Sequence, residues 1–200
     1  MLRWSLLAGA YACMAGIALL VAGLAQNRAA WVYPEPWFRL PALQSHGYSL
    51  ALGVGLGLLV VFVTRRLVER FLWAQELARA LRPFASGLSG AGILVVALLS
   101  SVGEELLFRG LLQPWLGVLG QALLFGFLHQ LRGPGRWPWV AWASIVGFLF
   151  GAVFSLTGSL LGPICAHALI NGLNLIYLQN HNPEYPRRGL GGLLGQRSRA

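Results

Sequence analysis

Aspartate and lysine are absent from this chain of 200 residues, and charged side chains of any kind are scarce. Only 10% of the residues are charged whereas 56% are hydrophobic, a balance well outside the usual range of soluble domains. The two cysteines, Cys13 and Cys165, lie in apolar segments, and their spacing suits neither a disulfide framework nor a cysteine-based zinc site. The composition therefore predicts a membrane protein.

All of the cationic side chains are arginines, and the formal net charge is +9. Clustered arginine is common in nucleic-acid-binding proteins. In so apolar a chain it favours loops that face anionic lipid at a cytoplasmic membrane surface, with no nucleic-acid partner.

Apolar runs separated by charged or Gly/Pro-rich breaks predict an all-α fold, a polytopic membrane bundle of about six transmembrane helices. Because the bilayer core needs about 20 helical residues, the second and fourth runs are short or tilted. The first run also fits a cleaved signal peptide, since Arg3 precedes it and small residues end it. The predicted spans are 5–25, 48–64, 93–116, 118–131, 139–157 and 160–178.

The distribution of arginine orients these spans. With the N-terminus inside, the opposite side holds only Arg28 and Arg39, and Arg109 lies within a span. Cytoplasmic segments are enriched in arginine, so both termini are predicted to be cytoplasmic. The predicted cytoplasmic arginines are Arg3, Arg65, Arg66, Arg70, Arg79, Arg82, Arg132, Arg136, Arg187, Arg188, Arg197 and Arg199.

The stretch RRLVERFLWAQELARALRPF, residues 65–84, has apolar residues at helical spacing with arginines around them. This pattern predicts an amphipathic helix on the inner membrane surface, with its apolar face in the lipid interface. The predicted apolar stripe consists of Leu67, Phe71, Ala74, Ala78 and Leu81, with Leu77 beside it.

Three charges interrupt the apolar stretch SSVGEELLFRGLLQ: Glu104, Glu105 and Arg109. Each costs about 2.5–3.5 kcal/mol at the centre of a membrane helix, so something must hold them there. Glu105 and Arg109 are four residues apart and predict an ion pair on one helix face. A purely structural role needs only that pair. Glu104 lies about 100° around the helix from Glu105, and a structural role does not explain it.

Two further spans carry polar residues in a pattern. His129 follows Phe125 by four residues in FGFLHQ, and His167 precedes Asn171 by four residues in CAHALINGLN. Helix rise, counted from the predicted turns, places these groups and Glu105 at one depth, between the membrane centre and its cytoplasmic half. The three spans are therefore predicted to share one polar site.

EELLFR at 104–109, FxxxH at 125–129 and HxxxN at 167–171 resemble, in that order, the three motifs of the CAAX protease and bacteriocin-processing family, also called the Abi family. This family contains intramembrane endopeptidases of the type II CAAX prenyl endopeptidase kind. The resemblance covers about 93–178 and implies a helical bundle with its site in a membrane-embedded cavity. It implies that Glu104 and Glu105 activate a water for attack on a peptide carbonyl, assisted by His129. It also implies that His167 and Asn171 stabilise the oxyanion, and that Arg109 orients the glutamates.

The function implied is hydrolysis of a peptide bond in a membrane-associated protein or peptide, in a bacterial cytoplasmic membrane. The implied parts are N-terminal spans with the amphipathic helix at 1–92, a catalytic core at 93–180 and a basic tail at 181–200. A non-catalytic alternative, an immunity factor or transporter-like protein with structural buried charges, stays open. No cofactor is expected, although a zinc site at Glu105, His129 and His167 also stays open; the HExxH motif is absent.

Overall fold

The computed structural model of the chain describes residues 4–131, 133 and 135–181, so nearly all of the predicted basic tail lies outside the described residues. Within these ranges the fold is all-α, as predicted, and the β-structure is one isolated bridge between Val32 and Ser159. The helices are α1 (Trp4–Ala25), α2 (Ala42–Arg70), α3 (Leu72–Ser86), α4 (Gly90–Glu105), a π-helix (Leu106–Leu112), α5 (Gln113–Leu128), α6 (Arg136–Thr157) and α7 (Leu161–Asn180).

Among the described residues, five helical stretches are long and apolar enough to cross a membrane, which fits an integral multi-pass membrane protein. The third, Gly90–Leu128, has 39 residues, about twice what the bilayer core needs. It is interrupted at Gly117, whose φ of 70° lies in the region that favours glycine. The chain reverses at Gly117. The reversal brings Phe108, before the turn, next to Phe125, after it, with ring centroids 5.0 Å apart. The predicted turn near Gly117 is confirmed, and the stretch forms two antiparallel arms.

The predicted amphipathic helix begins in the wrong place. The chain continues α2 through Arg70, adopts an extended conformation at Phe71 (φ −121°, ψ 129°) and only then begins α3. Phe71 is consequently exposed and does not belong to a buried stripe. The small side chains of Ala74 and Ala78 let α3 pack against the bundle near Leu178 of α7. The face predicted to lie in the lipid interface therefore packs largely against protein.

Helices α2 and α7 are in backbone contact at Gly53 and Gly162, where a Cβ on Gly53 would overlap the Gly162 carbonyl oxygen. Ser49 joins the same helices: its Oγ donates to the Ser159 carbonyl at 2.8 Å and accepts from the Gly162 N–H at 2.9 Å. In membranes, small residues promote helix association because backbones can approach closely and gain van der Waals contact. This contact fixes α7, which carries the HxxxN motif.

Segments that are predicted to lie on the same side of the membrane lie at the same end of the bundle. The segment between α1 and α2 binds the turn between α6 and α7, since the Tyr33 N–H donates to the Gly158 carbonyl at 3.0 Å. At the other end, α3 lies against the start of α6, where a Cβ on Gly135 would lie 3.0 Å from the Trp73 carbonyl oxygen. The segments predicted on one side of the membrane thus group together.

The π-helix at Leu106–Leu112 directly follows Glu105. Pro114 has no N–H, so the Gly110 carbonyl lacks the donor that an α-helix would supply four residues later. The guanidinium of Arg28 donates to that carbonyl instead, from the segment between α1 and α2. Single π-helical turns within α-helices often lie at functional sites.

Candidate active site

A cavity of about 320 Å³ lies inside the bundle, with a mainly apolar lining contributed by all seven α-helices. Four of the six predicted site residues line it, namely Glu104, His129, His167 and Asn171. The other two, Glu105 and Arg109, are fully buried behind the cavity wall. The predicted convergence of three spans on one site is therefore present in the structure.

Glu105 forms a buried network with a cation and an imidazole. Its Oε1 accepts from Arg109 Nη1 at 2.9 Å and from His167 Nδ1 at 2.7 Å. Arg109 also donates to the Gly147 carbonyl at 3.1 Å, and its guanidinium carbon lies 4.3 Å from the centroid of the Phe125 ring. The predicted ion pair between Glu105 and Arg109 is confirmed. Its position makes Glu105 an anchor for His167.

Glu104 faces the cavity between two imidazoles. Its Oε2 lies 3.5 Å from His129 Nε2 and 3.9 Å from His167 Nε2, and its side chain is 12% exposed. His129 Nδ1 lies 2.8 Å from the Phe125 carbonyl oxygen. A carbonyl can only accept, so Nδ1 of His129 carries a proton and its Nε2 is the atom that faces Glu104. His167 has the same arrangement, with Nδ1 directed to Glu105 and Nε2 towards Glu104.

Asn171 lies one turn after His167 on α7. Its Nδ2 donates to Ser100 Oγ of α4 at 2.9 Å. A side-chain amide has two N–H groups, so one donor is left after this bond. Because His167 and Asn171 line the same cavity as Glu104, their donors can act on a group bound there.

Tyr11 on α1 is a site residue that the three motifs do not reveal. Its side chain lines the cavity close to the carboxylate of Glu104. Gly103 permits this contact, since a Cβ there would lie 2.9 Å from the Tyr11 carbonyl oxygen. The only signal in the sequence is a polar hydroxyl within an apolar run, which needs a partner when buried.

The zinc alternative requires Glu105, His129 and His167 to converge on one point. Instead, Oε1 of Glu105 binds Arg109 and His167, while Nε2 of His129 faces Glu104. No group of three or more His, Cys, Asp or Glu side chains within the described ranges is arranged to hold a metal ion. That particular ligand set is not assembled, and metal-independent catalysis stays a prediction.

The part of the chain that carries the three motifs is similar to a known protein family. Residues 86–173 match the sequence profile of the family described as type II CAAX prenyl endopeptidase Rce1-like. A stretch of 81 residues is 35% identical to the uncharacterized protein YpbD of Bacillus subtilis (strain 168), covering 40% of this chain and 42% of that protein. The chain thus matches less than half of that relative's length, and no solved structure matches. All three motifs lie in the matched stretch, so the resemblance that they predicted is confirmed.

Proposed function

We propose, from the match of residues 86–173 to the type II CAAX prenyl endopeptidase family, that this protein is an intramembrane endopeptidase. Its substrate would be a membrane-associated protein or peptide. One observation carries the proposal: a carboxylate, two imidazoles and an amide from three predicted spans face one cavity inside an apolar bundle. These residues are Glu104, His129, His167 and Asn171.

Glu104 is the proposed general base. A water beside its Oε2 and His129 Nε2 can bond to both atoms, which lie 3.5 Å apart. As the water oxygen forms a bond to the peptide carbonyl carbon, Glu104 takes its proton. The C–N bond then breaks, and the proton passes to the leaving amine nitrogen, with His129 assisting the transfer.

His167 and Asn171 are the proposed donors to the oxyanion. Asn171 keeps one free N–H after its bond to Ser100. His167 donates through Nδ1 to Glu105, so a second proton on Nε2 makes it a cation that the Glu105 carboxylate stabilises. Donors held in place in a low-dielectric cavity stabilise developing negative charge with little reorganisation. Glu105 and Arg109 then act by positioning His167, a different role from that of Glu104.

The non-catalytic alternative accounts for only part of the site. A network of Glu105, Arg109 and His167 suffices to join helices through buried hydrogen bonds. Glu104 and His129, which face the cavity, add nothing that this role requires. The experiment that separates the two hypotheses is therefore substitution of Glu104 rather than of Glu105.

The proposed setting is a bacterial cytoplasmic membrane with both termini inside and anionic lipid at the arginine-rich surface. In the described part of the chain, that end of the bundle carries Arg65, Arg66, Arg70, Arg79, Arg82 and Arg136, while Arg28 and Arg39 lie at the other end. Catalysis is proposed to need no cofactor.

The test is a comparison of peptide termini in the membrane proteomes of cells that make the wild-type protein, Glu104→Gln or Cys165→Ser. Cys165 does not line the cavity and serves as the control. We expect a set of new termini with the wild type and Cys165→Ser that disappears with Glu104→Gln. Identical termini in all three samples, with equal protein levels, would count against protease function.

A further inference from the structure

Arg65 places a positive charge in the wall of the proposed active-site cavity. It lies on α2, five residues before that helix ends at Arg70. Its guanidinium carbon lies 5.3 Å from the centroid of the Tyr177 ring, and its Nε is buried without a hydrogen-bond partner. A cation held in such an apolar wall is unfavourable unless an anion or strong acceptor compensates it.

The neighbouring Arg66 has a different environment. It pairs with Glu69 at 3.1 Å, stacks on Phe62 at 5.1 Å, and its side chain is 56% exposed. For Arg65, no carboxylate of the described residues lies within 4.0 Å. The two arginines are therefore adjacent in sequence but differ in whether their charge is already paired.

Two further polar groups in the cavity wall lack partners within the described structure. Thr64 Oγ1 and Asn174 Oδ1 are both buried without a hydrogen bond, and both residues line the cavity. Asn174 lies on α7 between Asn171 and Tyr177. Its amide can bond to a peptide backbone, and the Thr64 hydroxyl can donate to an anion next to Arg65. Unsatisfied buried polar groups of this kind can bond to a water molecule or to a polar ligand.

The length of helix α7 gives the distance between the Glu104 end of the cavity and its Arg65 end. His167 contacts Glu104 at 3.9 Å, and Tyr177 lies under Arg65. Ten residues of helix separate His167 from Tyr177, or about 15 Å at 1.5 Å per residue. An extended peptide covers about 3.3–3.6 Å per residue, so this distance corresponds to about four residues.

We propose that Arg65 forms a subsite for a substrate carboxylate about four residues from the scissile peptide bond. This inference rests on the proposed function. Because Arg65 and Glu104 line one cavity, a peptide bound at Glu104 can place an anionic group beside Arg65. The carboxylate is an acidic side chain or a free C-terminus, both of which match the fork of a guanidinium.

The test is binding to Glu104→Gln protein in phosphatidylcholine nanodiscs, which separates recognition from cleavage. The probes are three dansyl-labelled peptides of alternating Leu and Ala: one with a C-terminal carboxylate, one with a C-terminal carboxamide, and one carboxamide with Glu as its last residue. We expect one or both acidic peptides to bind at least tenfold more tightly than the plain carboxamide, and their ranking distinguishes the two sources. Adding Arg65→Gln should remove the preference, whereas Arg66→Gln should keep it and Arg65→Lys should keep part of it.

Equal binding of all three peptides, or a preference that survives Arg65→Gln, would overturn the inference. The inference would also be overturned if phosphatidylglycerol, added to the nanodiscs, abolished the preference of protein that retains Arg65. Arg65 would then hold a lipid phosphate. Wild-type cleavage without a carboxylate preference would reject this subsite and leave the proposed function intact. A carboxylate preference in a protein that never cleaves would reject the proposed function and leave the subsite.

Discussion

Glu104 and Glu105 are adjacent in sequence but differ in environment. Glu105 is completely buried and ion-paired with Arg109, whereas Glu104 faces the cavity beside His129. The resemblance implied one shared role for both carboxylates, as joint activators of water. The geometry supports separate roles, with Glu104 as the proposed base in the cavity and Glu105 behind the cavity wall.

These environments predict opposite phenotypes for the two glutamine substitutions. Glu105→Gln leaves the buried Arg109 without a charge partner, and breaking a buried pair from one side costs about 3–5 kcal/mol. We expect a clearly lower midpoint of thermal unfolding, measured in detergent by tryptophan fluorescence. Glu104→Gln, the matched control, should unfold close to the wild type. Equal midpoints for Glu105→Gln and the wild type would show that the ion pair does not hold the site together.

Tyr11 should affect turnover through Glu104. Tyr11→Phe removes a hydroxyl that can donate to the Glu104 carboxylate. A hydrogen bond to a charged group is worth about 1.5–3 kcal/mol, so kcat should fall by about 10- to 100-fold. KM should change little, because Tyr11 acts on the base and not on substrate binding. Tyr33→Phe is the control, since Tyr33 lies in the segment that binds the α6–α7 turn. A change in KM alone would assign Tyr11 to substrate binding.

At the scale of single residues, the motifs identified site residues that share a helix or a family pattern. They did not identify residues that helix packing brings into the site. The pair of Glu105 and Arg109 follows from a spacing of four. Tyr11 reaches Glu104 only because Gly103 admits the α1 backbone, a contact between segments 92 residues apart in sequence. No local pattern encodes such a contact.

At the scale of helices, the α2–α7 contact depends on glycine. Gly53→Ala places a methyl group where the Gly162 backbone lies, and overpacking of this kind costs about 1–3 kcal/mol or more. Gly55→Ala is the matched control, because nothing lies within 4 Å of its added Cβ. We expect a lower unfolding midpoint only for Gly53→Ala. If both variants unfolded together, the close approach of α2 and α7 would not contribute to stability.

The helices and the turn at Gly117 were predictable from the sequence, whereas the break at Phe71 and the π-helix were not. Apolar spacing continues across Phe71, so the pattern gives no sign of the single extended residue that separates α2 from α3. The π-helix has a partial signal in Pro114, which leaves the Gly110 carbonyl free. Its partner, Arg28, comes from the segment between α1 and α2 and could not be inferred from the span itself.

At the scale of the whole molecule, the arginine bias predicts a cytoplasmic position for α3 and for the Arg65 end of the cavity. Single cysteines at Ser86 and Glu35, both exposed, test this in a background without Cys13 and Cys165. A cysteine at Ser86 should react only with a membrane-permeant maleimide, and one at Glu35 also with an impermeant one. The reversed pattern would place the cavity entrance on the outer side, while the proposed catalytic roles would be unaffected.

The overall architecture followed from composition because an apolar chain in a bilayer has few options besides helices. The shape of the cavity did not follow, since it depends on how α1, α2 and α3 cover the helices that carry the motifs. The family match begins at residue 86, so these covering helices lie almost entirely outside it.

The most direct test of peptide hydrolysis by Glu104-activated water is the cleavage rate in proteoliposomes. The substrate is a peptide identified from the mapped termini, and the protein is treated with strong chelators and shown by elemental analysis to lack zinc. The wild type is expected to cleave at its untreated rate. Glu104→Gln should be slower by about 10²–10⁴-fold, the usual contribution of a general base, with an unchanged unfolding midpoint. Cleavage by Glu104→Gln at the wild-type rate, or wild-type activity that returns only on adding zinc, would contradict the account.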